Sequence, residues 1–485
     1  MSIPKALKNN KEYIRYMKTE NLLICTDAYK ASHPKLYPVN AEAGRWYMAP
    51  RKPLDKKQKE FILFGLSYFI KKFLLKPITQ RDIEEAHEIW DTFGIGGGAY
   101  PFPYEGFQKI IKEYKGALPI TIKAIPEGQP TTDYNIPVII VECLDKDLFW
   151  LPGFIETVIQ RYVWYGSTVA TNSRNVRKYL REMYHKTVND NLEDATNQLW
   201  TLDYRLHDFG ARGASTGETA ALGGAAHLIN FNGTDTMEAV WLINKLYGVA
   251  VKDIACSIPA AEHSTVTSHG KDVEAEKRAL LQMLENNVGP LMAFVSDSYD
   301  YKRFVDKVWC DPEIIEKFRE KNITPVIRPD SGDPIEMVLY ALNATEKAWG
   351  ITTNIKGYKV LNGIRVIQGD GMDYAAIVEL YDAIAEAGFS VENVAVGMGG
   401  GLLQKVNRDN MSWSMKMFQI KREGLWYNVQ KDPITAANKK GWNPENGLDE
   451  SRYMTYYKWT GTETTVIPSE TLTFDFQAIR GRARA

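Results

Sequence analysis

The sequence predicts an α/β protein in which an irregular parallel α/β barrel is joined to a second, mixed α+β domain. From about Leu202 onward, short apolar runs that stop at Asp or Gly alternate with helix-like segments, a pattern typical of parallel strands connected by helices. Four of these runs contain Val295, Val326, Val366 and Val396, at separations of 31, 40 and 30 residues, which is the length of one strand with its helix. These two observations predict the barrel.

Each predicted strand ends in a short loop that is rich in Asp, Ser or Gly. The strand ends are YRLHDFG, ACSIPA, MAFVSDS, TPVIRPDSG, IRVIQGDG and VAVGMGGG. In parallel α/β barrels the ligand site is built from the loops that follow the strands. The residues expected there are Asp208, Ser257, Asp297, Asp330, Asp370 and the glycines from Gly397 to Gly401.

The second domain is predicted to combine residues 1–165 with 409–485, and the barrel to occupy 166–408. Near the start, KEFILFGLSYFIKKFLL predicts an amphipathic helix, and LPITIKAIP and IPVIIVECL predict strands. Near the end, WSMKMFQI, LWYNVQKDP and TLTFDFQAI are typical of antiparallel strands. The final RGRARA predicts a frayed basic terminus.

Composition narrows the class of protein. A chain of 485 residues is too long for one ordinary core, and 44% hydrophobic with 25% charged residues is the balance of a globular protein. The 59 basic and 60 acidic side chains nearly cancel, so no net field favours nucleic acid or an anionic membrane. The scattered Cys25, Cys143, Cys256 and Cys310 fit neither a zinc site nor a disulfide framework. Reduced thiols, and the lack of a long apolar run or a signal peptide pattern, predict a cytoplasmic protein.

Two glycine-rich segments differ in the residues that come after the glycines. In FGIGGGAYPFPYEG, these residues include Pro101 and Pro103, so the loop from Gly94 to Gly98 is predicted to be structural. In VAVGMGGGLLQK a strand, a glycine-rich turn and a helix start succeed one another, which is the pattern of a cup for phosphate. The alternative is a turn that needs glycine only for positive φ. Arg408 and Lys416, downstream, are cations available to the same phosphate.

Three carboxylates at predicted strand ends indicate a hard ligand. Asp297, Asp330 and Asp370 suit Mg²⁺ or ribose hydroxyls, which both prefer oxygen partners, although a single one is equally explained as a helix N-cap. In RPDSGDP, Arg328 stands two residues before Asp330. This alternation of cation and anion is what a phosphosugar site requires.

The stretch SIPAAEHST raises the question of whether His263 is a packed ring or a reactive one. The pattern predicts that Glu262 and His263 begin a helix at the mouth of the barrel. A buried histidine is more often structural. A carboxylate such as Asp297, however, would fix the tautomer of the ring and make its other nitrogen more basic. The residues alone predict a phosphosugar enzyme with a titrating or nucleophilic histidine.

Taken in order, TDAYKASH, HDFGARGAS, GTDT, SIPAAEHST, VSDSYD, IRPDSGDP, VIQGDG and GMGGGLLQK resemble the motifs of nicotinamide phosphoribosyltransferases. The resemblance runs from about Leu22 to Lys440. It implies a type II phosphoribosyltransferase barrel, synthesis of nicotinamide mononucleotide and pyrophosphate from nicotinamide and phosphoribosyl pyrophosphate, and a homodimer with shared active sites. A nicotinate phosphoribosyltransferase and a non-catalytic interaction protein are the alternatives. Asp235 favours nicotinamide, because a carboxylate repels nicotinate but can accept a hydrogen bond from an amide.

The resemblance also implies roles for individual residues. The implied pyridine contacts are Phe209, Arg212, Asp235, Arg328 and, from the partner subunit, Tyr29. Asp27 and Ser257 are expected to bind substrate as well. The implied ribose and metal contacts are Asp330, Gly369 and Asp370. The implied holders of the 5′-phosphate are Gly399, Gly400 and Arg408, surrounded by Ser414, Lys416 and the partner's Arg51, Lys431 and Lys439.

The same resemblance implies that ATP phosphorylates His263. Asp297 lies beside the histidine, Asp297 and Asp330 bind Mg²⁺, and His263, Asp297 and Asp330 are the expected catalytic residues. ATP is then a co-substrate that stimulates the transfer. One departure from the pattern is RKPL, where a proline follows Lys52 in place of a further cation. It predicts weaker phosphate contacts from the partner subunit.

Overall fold

The computed structural model describes residues 20–189, 202–435, 440–459 and 475–485. The chain divides into two compact units: unit 1 is Met1–Tyr165 with Arg408–Asp475, and unit 2 is Gly166–Asn407 with Phe476–Ala485. These bounds differ from the expected domains at two places. Arg408 belongs to unit 1, and the last ten residues belong to unit 2.

The described residues form short strands and α-helices of very different lengths. The strands are β1 (Ala41–Ala49), β2 (Phe61–Ile62), β3 (Ile120–Ala124), β4 (Pro130–Thr131), β5 (Ile139–Cys143), β6 (Leu206–Asp208), β7 (Gly233–Thr234), β8 (Leu291–Val295), β9 (Thr324–Arg328), β10 (Ile351–Thr353), β11 (Lys359–Leu361), β12 (Arg365–Gln368), β13 (Val394–Met398), β14 (Ser414–Arg422), β15 (Leu425–Asn428) and β16 (Met454–Lys458). The α-helices are α1 (Leu66–Phe69), α2 (Gln80–Trp90), α3 (Tyr104–Tyr114), α4 (Leu151–Phe154), α5 (Glu156–Thr187), α6 (Gly217–Leu228), α7 (Met237–Tyr247), α8 (His263–Thr267), α9 (Val273–Asn286), α10 (Tyr301–Phe304), α11 (Pro312–Lys321), α12 (Pro334–Trp349), α13 (Tyr374–Glu386), α14 (Gly400–Leu403) and α15 (Phe476–Arg484).

Unit 2 contains the predicted parallel barrel. Its strands lie in the order β7-β6-β13-β12-β9-β8, and every neighbouring pair is parallel. The segment 256–261 closes the ring, because Cys256 bridges Gly233 at one edge and Ala260 bridges Ala293 at the other. This segment is the expected strand ACSIPA, which forms bridges and no continuous strand. Pro259 has no N–H to donate, and its carbonyl accepts from the Ala293 N–H at 2.9 Å.

Apolar packing holds the barrel together. All five residues of β8 are buried, as expected for a strand covered on both faces. Inside the ring, Leu291, Ala293, Val326 and Ile367 form one apolar cluster. The helices outside include α6, whose residues from Ala220 to Leu228 are all buried. Small side chains permit this: a Cβ added at Gly224 of α6 would lie 2.5 Å from the Ala239 Cβ of α7.

Unit 1 is built on an antiparallel sheet with the order β15-β14-β1-β5-β3-β16. The predicted strands in LPITIKAIP, IPVIIVECL, WSMKMFQI and LWYNVQKDP are β3, β5, β14 and β15. An aromatic cluster of Tyr47, Phe418 and Trp442 packs on one part of the sheet, and the Tyr47 hydroxyl accepts from the Trp442 N–H at 2.7 Å.

One predicted helix of unit 1 is wrong at its start. KEFILFGLSYFIKKFLL begins as the strand β2 and becomes helical only at Leu66. Gly65 separates the two, with a φ of 102° that favours glycine. A Cβ at this position would also lie 2.6 Å from the Tyr162 carbonyl oxygen. The apolar periodicity of the run does not reveal this close approach.

The predicted frayed terminus is also wrong, as is the predicted strand in TLTFDFQAI where the structure describes it. Residues Phe476–Arg484 form the helix α15. Phe476, Ile479 and Ala483 are fully buried on one face of it. Arg480 fixes its position in unit 2 by donating to the carbonyls of Leu228 at 3.1 Å and Asp253 at 2.9 Å.

The loop at Gly94 to Gly98 forms a short 3₁₀ turn, Ile95–Gly97, in which Gly96 and Gly97 have φ values of 72° and 79°. The backbone conformation of the turn therefore favours glycine at these two positions, in agreement with the prediction that this loop is structural. Among the described residues, none of the helices is both long enough and apolar enough to cross a lipid bilayer.

Candidate active site

A cavity inside the barrel of unit 2 opens at the C-terminal ends of the strands. It is lined mainly by apolar side chains, with polar groups at its two ends. At the mouth the polar and aromatic lining residues are His207, Phe209, Asp235, Ser257 and Arg328, and toward the opposite end they are Tyr204, Arg205 and Arg365. An apolar wall with a few polar groups at the mouth suits a flat heteroaromatic ligand.

Phe209 is held at the mouth by the turn that follows β6. Its N–H donates to the Met398 carbonyl at 3.1 Å. Its ring lies over two strand-end glycines: a Cβ at Gly397 would overlap the ring, and a Cβ at Gly369 would lie 3.2 Å from it. Neither glycine has a positive φ. These positions therefore need glycine to make room for the aromatic ring.

Asp235 and Ser257 form a polar pair in the wall of the same cavity. The Ser257 hydroxyl donates to Asp235 Oδ1. The Asp235 N–H in turn donates to the Asp208 carbonyl at 3.0 Å, which fixes the position of the backbone. A carboxylate has more acceptor sites than this one bond uses, so Asp235 can bind a further N–H donor.

His263 is the first residue of the short helix α8, whose N-cap is Glu262. Its Nε2 lies 3.0 Å from Asp297 Oδ1, as expected, and its Nδ1 lies 3.9 Å from Asp330 Oδ2. The His263 side chain is 45% exposed, whereas that of Asp297 is only 4% exposed. Asp297 is fixed from behind, because its Oδ2 accepts from the Asp330 N–H at 3.2 Å and from the Ser331 hydroxyl at 2.5 Å.

Arg328 lies between Asp235 in the cavity wall and the carboxylate of Asp330 beside His263. It lines the cavity beside Asp235, and its Nη2 lies 3.9 Å from Asp330 Oδ2. Its Nε is buried without a hydrogen-bond partner among the described residues. An unpaired donor in a residue that lines the cavity favours a ligand that accepts a hydrogen bond from this side chain.

The metal prediction names Asp297 and Asp330 and stays a prediction. Asp330 is a partly exposed carboxylate, with the exposed Asp370 at the neighbouring strand end, whereas Asp297 is 4% exposed and both of its oxygens lie within hydrogen-bond distance of other groups. Within the described ranges there is no group of three or more His, Cys, Asp or Glu side chains arranged to hold a metal ion. The oxygens present fit a Mg²⁺ ion that takes most of its ligands from water and substrate phosphates.

The glycine-rich turn after β13 differs from the predicted cup in one respect. The helix that follows, α14, has only four residues, so its dipole adds little. None of the glycines from Gly397 to Gly401 has a positive φ. The alternative interpretation, a turn that needs glycine only for positive φ, is therefore wrong. Gln404 links this turn to the turn that carries Arg212, because its Nε2 donates to the Gly210 carbonyl at 2.9 Å.

Three basic residues of the predicted phosphate set, Arg51, Lys416 and Lys431, form one cluster in unit 1. Burial, Arg51 and Lys431 together lower the pKa of Lys416 to about 8. Arg51 is fixed by a bond from its Nε to the Ser412 carbonyl at 3.0 Å. The expectation that Lys416 and Arg51 come from different subunits does not fit this cluster, since one chain brings them together.

The other predicted residues of unit 1 differ in their surroundings, and one of them lies outside the described residues. Ser414 is the first residue of β14, and Arg408 is exposed, with Nη2 3.7 Å from Asp409. Tyr29 is 55% exposed and meets His33 edge to face at 4.9 Å. Asp27 accepts from the Thr157 hydroxyl at 2.6 Å, which makes it a structural partner within its own unit. Lys439 lies outside the described residues.

Comparison with known proteins gives the family. The model of the nicotinate phosphoribosyltransferase family matches residues 204–457, which is more than half of the chain. The chain belongs to this family. The model of the nicotinamide phosphoribosyltransferase N-terminal domain matches residues 21–122.

Two similar proteins are named nicotinamide phosphoribosyltransferases. The chain is 41% identical to a nicotinamide phosphoribosyltransferase of Xanthomonas campestris pv. campestris, over 87% of this chain and 86% of that one. It is 29% identical to one of Mycoplasma pneumoniae, over 87% and 94%. The crystal structure of human nicotinic acid phosphoribosyltransferase has the same fold, with a TM-score of 0.52, 15% identity, and coverage of 81% of this chain and 74% of that one.

Three contributions to the site were not predicted from the sequence. They are the Ser331 bond to Asp297, the Gln404 bond between two loops, and the room that Gly397 leaves for Phe209. Ser331 stands within the motif RPDSGDP, so the sequence itself indicates it as a candidate. The partners of Gln404 and Gly397 are distant in sequence, so no local signal indicates them.

Proposed function

We propose that the protein is a nicotinamide phosphoribosyltransferase of NAD salvage. It joins nicotinamide to phosphoribosyl pyrophosphate and releases pyrophosphate. The family match and the similar proteins support the reaction class. The observation that carries the choice of base is the Asp235 carboxylate in the wall of the cavity that Phe209 also lines.

Base selection follows from charge. Asp235 accepts a hydrogen bond from the carboxamide NH₂, and Arg328 donates to the carboxamide oxygen. Nicotinate would bring its carboxylate against that of Asp235, and the repulsion disfavours its binding. Phe209 stacks on one face of the pyridine ring, with its own position fixed over Gly369 and Gly397.

The chemical step requires no strong general base, because the pyridine nitrogen of nicotinamide is unprotonated near pH 7. That nitrogen attacks C1 of the ribose as the C1–O bond to pyrophosphate breaks, through an oxocarbenium-like transition state. Asp330 and Asp370 hold the ribose side of the substrate, and Gly399 and Gly400 hold the 5′-phosphate. Asp330 and Asp297 would hold Mg²⁺, which would supply positive charge near the departing pyrophosphate.

ATP acts through His263. The ring nitrogen that is not bonded to Asp297 attacks the γ-phosphorus of ATP, the bond to the ADP oxygen breaks, and ADP leaves. Asp297 stabilises the resulting charged phosphoimidazole through the other ring nitrogen. The accessible ring and its buried carboxylate partner support this role. ATP is a stimulating co-substrate, and the glycosyl transfer does not depend on it stoichiometrically.

The active enzyme is a homodimer whose sites are shared. Tyr29 of the partner subunit stacks on the second face of the pyridine, and the cluster of Arg51, Lys416 and Lys431 offers positive charge to phosphate oxygens. The exposure of Tyr29 supports such a contact. Mixing the inactive variants Tyr29→Ala and Asp330→Ala, with subunit exchange verified, should restore activity, because one site of the heterodimer carries neither change. No recovery would reject the shared site.

The decisive experiment compares kcat/KM for nicotinamide and for nicotinate, with phosphoribosyl pyrophosphate and Mg²⁺ present. Nicotinamide is expected to be the better substrate. An equal or higher value for nicotinate would move the chain to the other activity named in its family, and no turnover of either base would reject the enzyme.

A further inference from the structure

Asp208, the last residue of β6, connects the two segments that carry the proposed base contacts. Phe209 follows it directly, and the Asp235 N–H donates to its carbonyl at 3.0 Å. Its side chain has a separate role: Oδ1 accepts from the Gly210 N–H at 2.8 Å and so closes the turn on which Phe209 stands. One residue therefore fixes both sides of the base pocket.

The carboxylate of Asp208 is enclosed. The residue is 0% exposed, and a Cβ at Gly224 of α6 would lie 3.0 Å from its Oδ2. The hydroxyls of Thr234 and Thr236, on either side of Asp235, face it. Burying a carboxylate is costly, and a neutral side chain of similar shape would serve the turn at a lower cost. The charge itself therefore calls for an explanation.

We propose that Asp208 is a positioning residue that also sets the choice of base, because it fixes Phe209 and Asp235 relative to each other and its negative charge, behind Asp235, increases the repulsion of a pyridine carboxylate. This inference rests on the proposed function, since it assigns a second residue to the selection of nicotinamide over nicotinate.

The charge on Asp208 depends on pH within an accessible range. Burial, reinforced by the nearby Asp235, raises the pKa of Asp208 to about 6. Hydrogen bonds from the Gly210 N–H and the threonine hydroxyls act in the opposite direction and lower this pKa. Burial lowers the pKa of His207, on the same strand, to about 4 and that of His227, on α6, to about 3, so both rings stay neutral between pH 5 and 8. The charged group that acts on the Asp208 carboxylate from the neighbouring segment is Asp235.

The consequence is a base preference that changes with pH. Above pH 6, Asp208 is ionised and strengthens the preference for nicotinamide. As the pH falls through 6 it takes up a proton, and the preference weakens. Groups that act equally on both bases, including those at His263, cancel in the ratio of the two kcat/KM values.

The test measures that ratio from pH 5.5 to 8 for the wild type, for Asp208→Asn and for Glu127→Gln. Glu127 is the matched control, because it is a fully buried carboxylate of unit 1 that accepts from the Leu66 N–H at 2.8 Å, and burial raises its pKa as well. The wild-type ratio should fall by about three- to tenfold between pH 7.5 and 5.5. Asp208→Asn should give a low ratio at every pH through a lowered KM for nicotinate, while kcat is largely retained because the Asn oxygen can still accept the Gly210 N–H. Glu127→Gln should follow the wild type.

A merely structural role would reduce turnover of both bases equally and leave the pH profile of the ratio intact, and that result in Asp208→Asn would overturn the inference. Should Asp208→Asn fail to fold, the wild-type profile decides alone: a ratio that stays flat from pH 7.5 to 5.5 rejects the role of the charge. A wild type that prefers nicotinate at every pH would reject the proposed function itself. That result differs from an equal loss of turnover for both bases in Asp208→Asn and from a flat wild-type ratio in favour of nicotinamide.

Discussion

The two ends of the barrel mouth are held in place by different forces. At the base end, the Phe209 ring is packed over Gly397 and Gly369, and the Asp208 carboxylate behind it is completely buried. At the histidine end, the His263 side chain is 45% exposed, and its Nε2 lies within hydrogen-bond distance of Asp297, at 3.0 Å. Steric contact thus sets the geometry of the first end, and charge and hydrogen bonding set that of the second.

The difference corresponds to the roles that we propose for the two ends. In that proposal, a rigid aromatic pocket holds a neutral ring at a fixed distance from ribose C1, where a small displacement costs much of the rate. A residue that gains and loses a phosphoryl group needs solvent access and a partner that tolerates two charge states. Substitutions that add volume should therefore reduce the rate most at the base end, where removal of a charge should change the choice of base more than the rate. At the histidine end, removal of a charge or a hydrogen bond should change the response to ATP.

The largest effect is expected from Gly397→Ala. The added Cβ would overlap the Phe209 ring, which has to leave its place. The value of kcat/KM for nicotinamide should fall by about 100-fold or more. Gly217→Ala is the control, because a Cβ at Gly217 meets nothing within 4 Å in the same unit. Near-normal activity in Gly397→Ala would mean that Phe209 is free to move, and the contrast between the two ends would disappear.

The sequence predicts the residues of the mouth better than the forces that hold them. The parallel barrel, the strand ends and the His263–Asp297 pair all follow from local patterns, because strands that stop at Asp or Gly are visible in the chain. The requirement for glycine at position 397 is not visible, since the ring it accommodates comes from Phe209, almost two hundred residues away in the sequence. The sequence does not predict the helix α15 for a similar reason. Its apolar face is buried by residues that are distant in the sequence, so no local pattern indicates it.

Asp235→Asn should have the next largest effect, on selectivity more than on rate. The amide still accepts a hydrogen bond from Ser257, but it no longer repels a carboxylate. The ratio of kcat/KM for nicotinamide to that for nicotinate should fall by about tenfold. Steady-state kinetics with both bases measure it. An unchanged ratio would shift base selection away from Asp235, and Arg328 would be the next residue to test.

His263→Ala should leave the base end intact and remove the response to ATP. Synthesis at saturating phosphoribosyl pyrophosphate should stay within about twofold of the unstimulated wild type, because the base and ribose contacts remain. With γ-labelled ATP, the wild type should form an acid-labile, base-stable phosphoprotein, and the variant none. Label in the variant, or ATP stimulation that survives in it, would assign the phosphate carrier to another residue and return His263 to a structural role.

The smallest effect is expected from Ser331→Ala, which tests how the histidine end is held. The Ser331 hydroxyl donates to Asp297 Oδ2 at 2.5 Å, and the Asp330 N–H, at 3.2 Å, remains after the substitution. Losing one hydrogen bond to a carboxylate costs about 1 kcal/mol, so phosphorylation of His263 should slow by about fivefold while the KM for nicotinamide stays constant. Ser331→Thr keeps the hydroxyl and should restore the rate. Ser264→Ala is the control, because the Ser264 hydroxyl bonds Glu262 and leaves Asp297 untouched. Equal slowing in Ser331→Ala and Ser264→Ala would show that the rate depends on the helix start as a whole, and Asp297 would then owe its position to packing, as Phe209 does.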